Sequence, residues 1–130
     1  MTPYEMAGGA PGVSAVLERL YDRAFVDPII GFLFVGKDKG RIVQSQVSFT
    51  AGFLGGPRLY QGPSLPEAHA NLPLLPGHFA RRHRLLEEAL GESKIPESVQ
   101  RLWLEIDERL KDSVLAAGEA ARAQSRSASR

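Results

Sequence analysis

Apolar residues recur every three or four positions in four stretches of the chain. In VSAVLERLYDRAFV (13–26), Val13, Val16, Leu17, Leu20, Tyr21, Ala24 and Phe25 share one face, with Glu18, Asp22 and Arg23 off it. That period predicts a helix with one buried side. Pro28 and Gly31 break the pattern in VDPIIGFLF (26–34) and leave Phe32, Leu33 and Phe34 in a tight connection. A second helix fits KGRIVQSQVSFTAGFL (39–54), where Ile42, Gln46, Phe49 and Phe53 form one line beside Val43, Val47 and Leu54, and GGP at 55–57 ends it. HFARRHRLLEEAL (78–90) makes a third, facing inward with Phe79, Leu86 and Leu90. The fourth starts with Pro96 in its first turn and runs through Val99, Leu102, Trp103, Ile106, Leu110 and Val114. No stretch alternates cleanly enough to predict a strand, so the class is all-α.

Between the second and third helices, PSLPEAHANLPLLP (63–76) places His69 among Pro63, Pro66, Pro73 and Pro76. Proline lacks the amide donor and disfavours helical angles in the residue before it, so only a short, stiff turn or helix fits here. Two further polar side chains interrupt apolar faces. The Gln46 amide should point inward, and a buried amide without a partner costs on the order of 1–3 kcal/mol. Tyr21 carries a hydroxyl on the buried stripe of the first helix, with the same need for a partner. His78 fits a capping or surface role at the start of the third helix. His83 lies among Arg81, Arg82 and Arg84, whose charge should favour its neutral form.

Composition narrows the chemistry. A chain of 130 residues, 43% hydrophobic and 24% charged, is that of an ordinary single domain. A formal net charge of +1 gives no electrostatic case for nucleic acid or an anionic membrane as partner. Without cysteine there are no disulfides, thiolate metal sites or cysteine nucleophiles. No histidine–carboxylate pattern suggests a zinc or di-iron site, and no phosphate-binding glycine loop or nucleophile elbow occurs. No basic leader precedes a long apolar run, so the expectation is a cytoplasmic protein with no membrane span. The domain is expected over 1–115, and AAGEAARAQSRSASR (116–130) to be a polar, frayed tail.

The ordered set YEMAGG (4–9), Tyr21 in LYDRAFVDP, Phe34, Gln46 in QVSF, LGGPRLYQG (54–62), EAHANL (67–72) and HF (78–79) resembles the truncated haemoglobins. These are shortened bacterial globins with a two-over-two helical sandwich, and the glycine pairs resemble group I. The likeness covers roughly residues 4–115. It implies haem b (iron protoporphyrin IX) with His69 as the proximal iron ligand. It further implies Phe34 packed on the porphyrin face, Tyr21 and Gln46 as the distal hydrogen-bonding pair, Ile42 at the distal gate, and Phe49, Leu65 and Phe79 as apolar pocket residues. The proline fence then has a purpose: a stiff segment costs little entropy to order and fixes the imidazole direction. Arg82 stands where relatives often place an apolar or tryptophan residue facing the haem. It is expected either to reach a propionate or solvent, or to intrude on the pocket. Gly8–Gly9 and Gly55–Gly56 match turns needing positive φ or close approach.

The leading functional reading is therefore reversible binding of dioxygen, carbon monoxide or nitric oxide at a histidine-ligated iron, with Tyr21 and Gln46 donating to the ligand. The alternative is catalysis on the same scaffold, nitric oxide dioxygenation or a peroxidase-like reaction, which would need a separate reductase. A haem-free regulatory globin module ranks last, because it would leave His69, Tyr21, Phe34 and Gln46 without a shared chemical purpose. The sequence leaves the oligomeric state open.

Overall fold

The structure is a computed structural model and describes residues 1–64 and 74–116. Within these residues the regular elements are α1 (Pro3–Met6), α2 (Gly9–Ala24), a 3-10 turn (Gly31–Phe34), α3 (Lys39–Phe53), α4 (Pro76–Gly91) and α5 (Glu97–Arg109). Helical residues 111–116 follow, and no strand occurs among the described residues. Each of the four periodic stretches is a helix. The short α1 has no period to announce it and is set by its cap: Thr2 Oγ1 accepts from the Glu5 N–H at 3.1 Å, and Glu5 Oε1 accepts from the Thr2 N–H at 3.0 Å.

The Tyr4 N–H donates to the Leu54 carbonyl at 2.9 Å, joining the start of the chain to the end of α3. This seam needs the glycine pair that follows α3. Gly55 sits at φ +85°, and a Cβ on Gly56 would come within 2.5 Å of the Tyr4 ring. A side chain at either position would strain the backbone or displace the tyrosine.

The central helix is α2. It buries Val13, Val16, Leu17, Leu20, Tyr21 and Ala24 and packs against both α3 and α4, while α4 also packs against α5. The result is two helices layered over two, with the core between them. Leu17, Leu20, Leu86 and Leu90 are fully buried there, each stabilising by about 1.5–3 kcal/mol. The Arg23–Glu92 ion pair across α2 and α4 is short, 2.6 Å, but its side chains are 36% and 48% exposed. Such a pair contributes about 1 kcal/mol or less. Apolar packing dominates this seam.

Two details differ from the sequence expectation. Phe53 is 48% exposed, because the buried face of α3 carries Val43, Thr50 and Ala51, with Leu54 beyond them, and Phe53 lies off that face; it packs against Phe49 instead, ring centroids 5.0 Å apart. Pro96 is the N-cap of α5, extended at ψ 141°, and the helix begins at Glu97, whose carboxylate suits the positive end of the helix.

Sequence reasoning missed two buried carboxylates, Asp27 and Asp107. Asp27 Oδ2 accepts from the backbone N–H groups of Ile29 and Ile30 at 3.0 and 3.1 Å. Its Oδ1 accepts from Arg81 Nε and Nη2 at 2.9 and 2.7 Å. It thereby shapes the turn after α2 and pins it to α4. The bonds from Arg81 hold the Asp27 carboxyl below its ordinary range. That depression contributes stability above the unfolded value of about 3.9, lost as pH falls through the lower folded value. Asp27→Asn is expected to cost about 2 kcal/mol in denaturant unfolding at pH 7. The deficit should shrink below about pH 4; one unchanged by pH would contradict a role for the carboxylate charge.

Candidate functional site

A cleft opens between the two helical layers, with about 760 Å³ of empty space including the part open to solvent. Its apolar wall comes from Ile30, Leu33, Phe34, Phe49, Leu74, Phe79, Leu110 and Val114. Phe34 is fixed at this wall by its neighbours. It stacks on Phe25, centroids 4.8 Å apart, and meets the Tyr21 ring edge-on at 5.8 Å. Proline and glycine before it (Pro28, Gly31) end α2 and let the 3-10 turn bring Phe34 back over Tyr21.

Polar groups are few and converge. Tyr21, from the middle of α2, accepts at its hydroxyl from Arg82 Nε and Nη2 at 3.3 and 3.2 Å. Arg82 Nη1 donates to Asp107 Oδ1 at 2.8 Å, and His83 Nδ1 meets Asp107 Oδ2 at 2.7 Å. Burial opposes charge on both Arg82 and Asp107. Tyr21 and then Asp107 outweigh it at Arg82, which is held cationic, and Arg82 with His83 outweighs it at Asp107, which titrates below its ordinary range. Arg82 thus stands on the cleft wall, bonded to Tyr21 and Asp107.

His83 reverses its expectation. The hydrogen bond to Asp107 raises its pKa above the usual histidine value, against the opposing effects of burial and Arg82. The flanking arginines suggested a neutral ring, but Arg81 is turned to Asp27, and a carboxylate from α5 faces the imidazole. Asp107 was legible in one respect: it continues the inner line Val99–Trp103 by one more helical turn, a charge on a buried stripe.

The other expected site residues fall as follows. Gln46 and Phe49 line the cleft from α3, half-buried, and the Gln46 amide has no hydrogen-bond partner among the described residues. Phe79 lines it from α4 and is buried. Ile42 is half-buried against the core and is not among the residues lining the cleft. His78 lines the cleft and caps α4, its Nδ1 accepting from the Leu75 N–H at 3.0 Å. His69 and Leu65 lie outside the described residues, as does nearly all of the tail expected at 116–130; the description resumes at Leu74, on the cleft wall.

Residues 2–116 match the family model described as bacterial-like globin. The chain belongs to the bacterial-like globins. Its relatives include group 1 truncated haemoglobins. GlbN of Mycolicibacterium paratuberculosis is 30% identical over 93 residues, covering 72% of this chain and 68% of that protein. GlbN of a Nostoc species is 30% identical over 90 residues, covering 69% and 76%. Among solved structures, the Fe(III) form of truncated haemoglobin from Tetrahymena pyriformis matches with a TM-score of 0.81 at 25% identity, over 88% of this chain and 97% of that one. The 2/2 haemoglobin from Synechococcus, solved in the cyanomet state with covalently attached haem, matches with a TM-score of 0.74 at 25% identity, over 94% and 99%. The two-over-two layering of this bacterial-like globin is the truncated haemoglobin fold.

Membership in this family implies a haem cofactor and the binding of diatomic ligands. The globin's own cleft fits such a group in its chemistry: it is mostly apolar and carries aromatic side chains at Phe34, Phe49 and Phe79, with its donors gathered around Tyr21 and Arg82. A flat apolar macrocycle finds a matching wall, and a small polarised ligand finds donors. Among the described residues, no helix is long and apolar enough to cross a membrane.

Proposed function

We propose that this globin holds haem b in the cleft through His69 and reversibly binds dioxygen there, with Tyr21 as the principal hydrogen-bond donor and Gln46 as the second. When bound, the haem supplies the iron at which a diatomic gas coordinates. The observation that carries the reading is the state of the Tyr21 hydroxyl. Its oxygen accepts from Arg82, and among the described residues its own proton has no acceptor. A donor is thus left over on the wall of an apolar cleft. Accepting from a cation also polarises the hydroxyl and strengthens its outgoing bond. The unpartnered Gln46 amide on the same cleft supports it.

A second reading, turnover of nitric oxide or peroxide with a separate reductase, draws on Arg82. A fixed guanidinium on the cleft wall stabilises negative charge that develops on a ligand during reaction.

The test is titration of the purified chain with haem. The expected result is one intense Soret band, saturating at one haem per chain and shifting when carbon monoxide is added to the reduced form. A chain that takes up no haem tightly would overturn the proposal.

A further inference from the structure

The Tyr21 donor is only as good as its aim, and a phenolic O–H can lie to either side of its oxygen in the ring plane unless something occupies one of them. Here Arg82 places two N–H groups against that oxygen, from Nε at 3.3 Å and Nη2 at 3.2 Å. A proton cannot point at two other protons, so the remaining direction is away from Arg82. The guanidinium is in turn fixed by Asp107, whose Oδ1 lies 2.8 Å from Nη1. The second oxygen of Asp107 is engaged as well, 2.7 Å from His83 Nδ1. An ionised carboxylate only accepts, so His83 donates, and each oxygen has its own donor. Asp107 cannot swing without losing one of them. Three helices meet in this arrangement: α2 brings Tyr21, α4 brings Arg82 and His83, and α5 brings Asp107.

We propose that Asp107 and Arg82 are positioning residues for the Tyr21 hydroxyl, Asp107 anchoring the guanidinium and Arg82 filling the acceptor side of the phenol oxygen so that its proton faces the cleft. This rests on the reading of Tyr21 as a donor to the ligand. The pair orients and polarises; it does not pass protons, because a guanidinium is not deprotonated in a protein. Planarity matters as much as charge. A lysine ammonium is a point charge on a flexible stem and does not hold both contacts of the fork.

The experiment is a double-mutant cycle on dioxygen dissociation from the ferrous protein. Asp107→Asn keeps the volume and removes the charge, and is expected to speed dissociation ~threefold. In the Tyr21→Phe background the same substitution should change the rate by less than ~1.5-fold, because there is no longer a hydroxyl to aim. Arg82→Lys, although still cationic, should speed dissociation as Asp107→Asn does. Equal acceleration by Asp107→Asn in both backgrounds would mean it acts through packing or ligand access, and would overturn the proposal. A second readout needs no haem: the carbon-13 shift of the Tyr21 Cζ in the haem-free chain should move in Asp107→Asn. If the chain takes up no haem, the functional reading fails by itself, and an unmoved Tyr21 resonance would separately refute the positioning role.

Discussion

His69→Ala is expected to abolish or severely weaken haem retention, with loss of the Soret band under conditions where the unaltered chain is saturated. Even the partners of metal ligands cost about 10–100-fold in affinity when removed, so loss of the ligand itself should exceed that range. The apolar wall around Phe34 and Phe79 would remain and could hold some haem weakly. The other two histidines serve as controls, for reasons visible in their contacts. His78 accepts a backbone N–H on Nδ1, so its neutral ring carries the proton on Nε2 and has no lone pair left for a metal. His83 is not among the residues lining the cleft, and its ring lies against Phe79. His78→Ala and His83→Ala should therefore keep the Soret band, and a normal band in His69→Ala would sink the ligand assignment.

The second large effect is kinetic. Tyr21→Phe removes the hydroxyl and keeps the ring that packs edge-on against Phe34, so it isolates one hydrogen bond. A neutral bond contributes about 1 kcal/mol net, and one strengthened by a polarised partner contributes more. Losing ~1.4 kcal/mol from the bound state alone speeds dioxygen dissociation about tenfold. Carbon monoxide carries less charge on its outer atom and should respond much less. Equal acceleration for both gases would point to altered access past the ring.

Much of this was legible because helices advertise themselves by period. The stripe Val13–Val16–Leu17–Leu20–Tyr21–Ala24 is buried residue for residue, and Phe79, Leu86 and Leu90 face inward as their spacing predicts. Turn glycines were equally readable, since Gly8 and Gly9 adopt the positive φ that their pairing suggested. What the pattern could not supply was the partner of each polar group. Arg82 was visible as a charge on an inner face, but its hold on Tyr21 depends on how closely α2 approaches α4. His83 was misjudged because neighbours in sequence, the arginines, counted for less than Asp107, a neighbour in space. Asp27 looked like an ordinary turn residue, because nothing in its local sequence announces Arg81 from α4.

The most direct test of a haem site with one protein ligand and an open opposite side is the resonance Raman and absorption spectrum of the reduced, ligand-free protein. The α3 helix, Lys39–Phe53, contains no histidine; His78 has its Nδ1 engaged by the Leu75 N–H, and His83 is not among the residues lining the cleft. The expected spectrum is five-coordinate and high-spin, with an iron–histidine stretch that disappears in His69→Ala. A six-coordinate, low-spin bis-histidine spectrum would contradict the account.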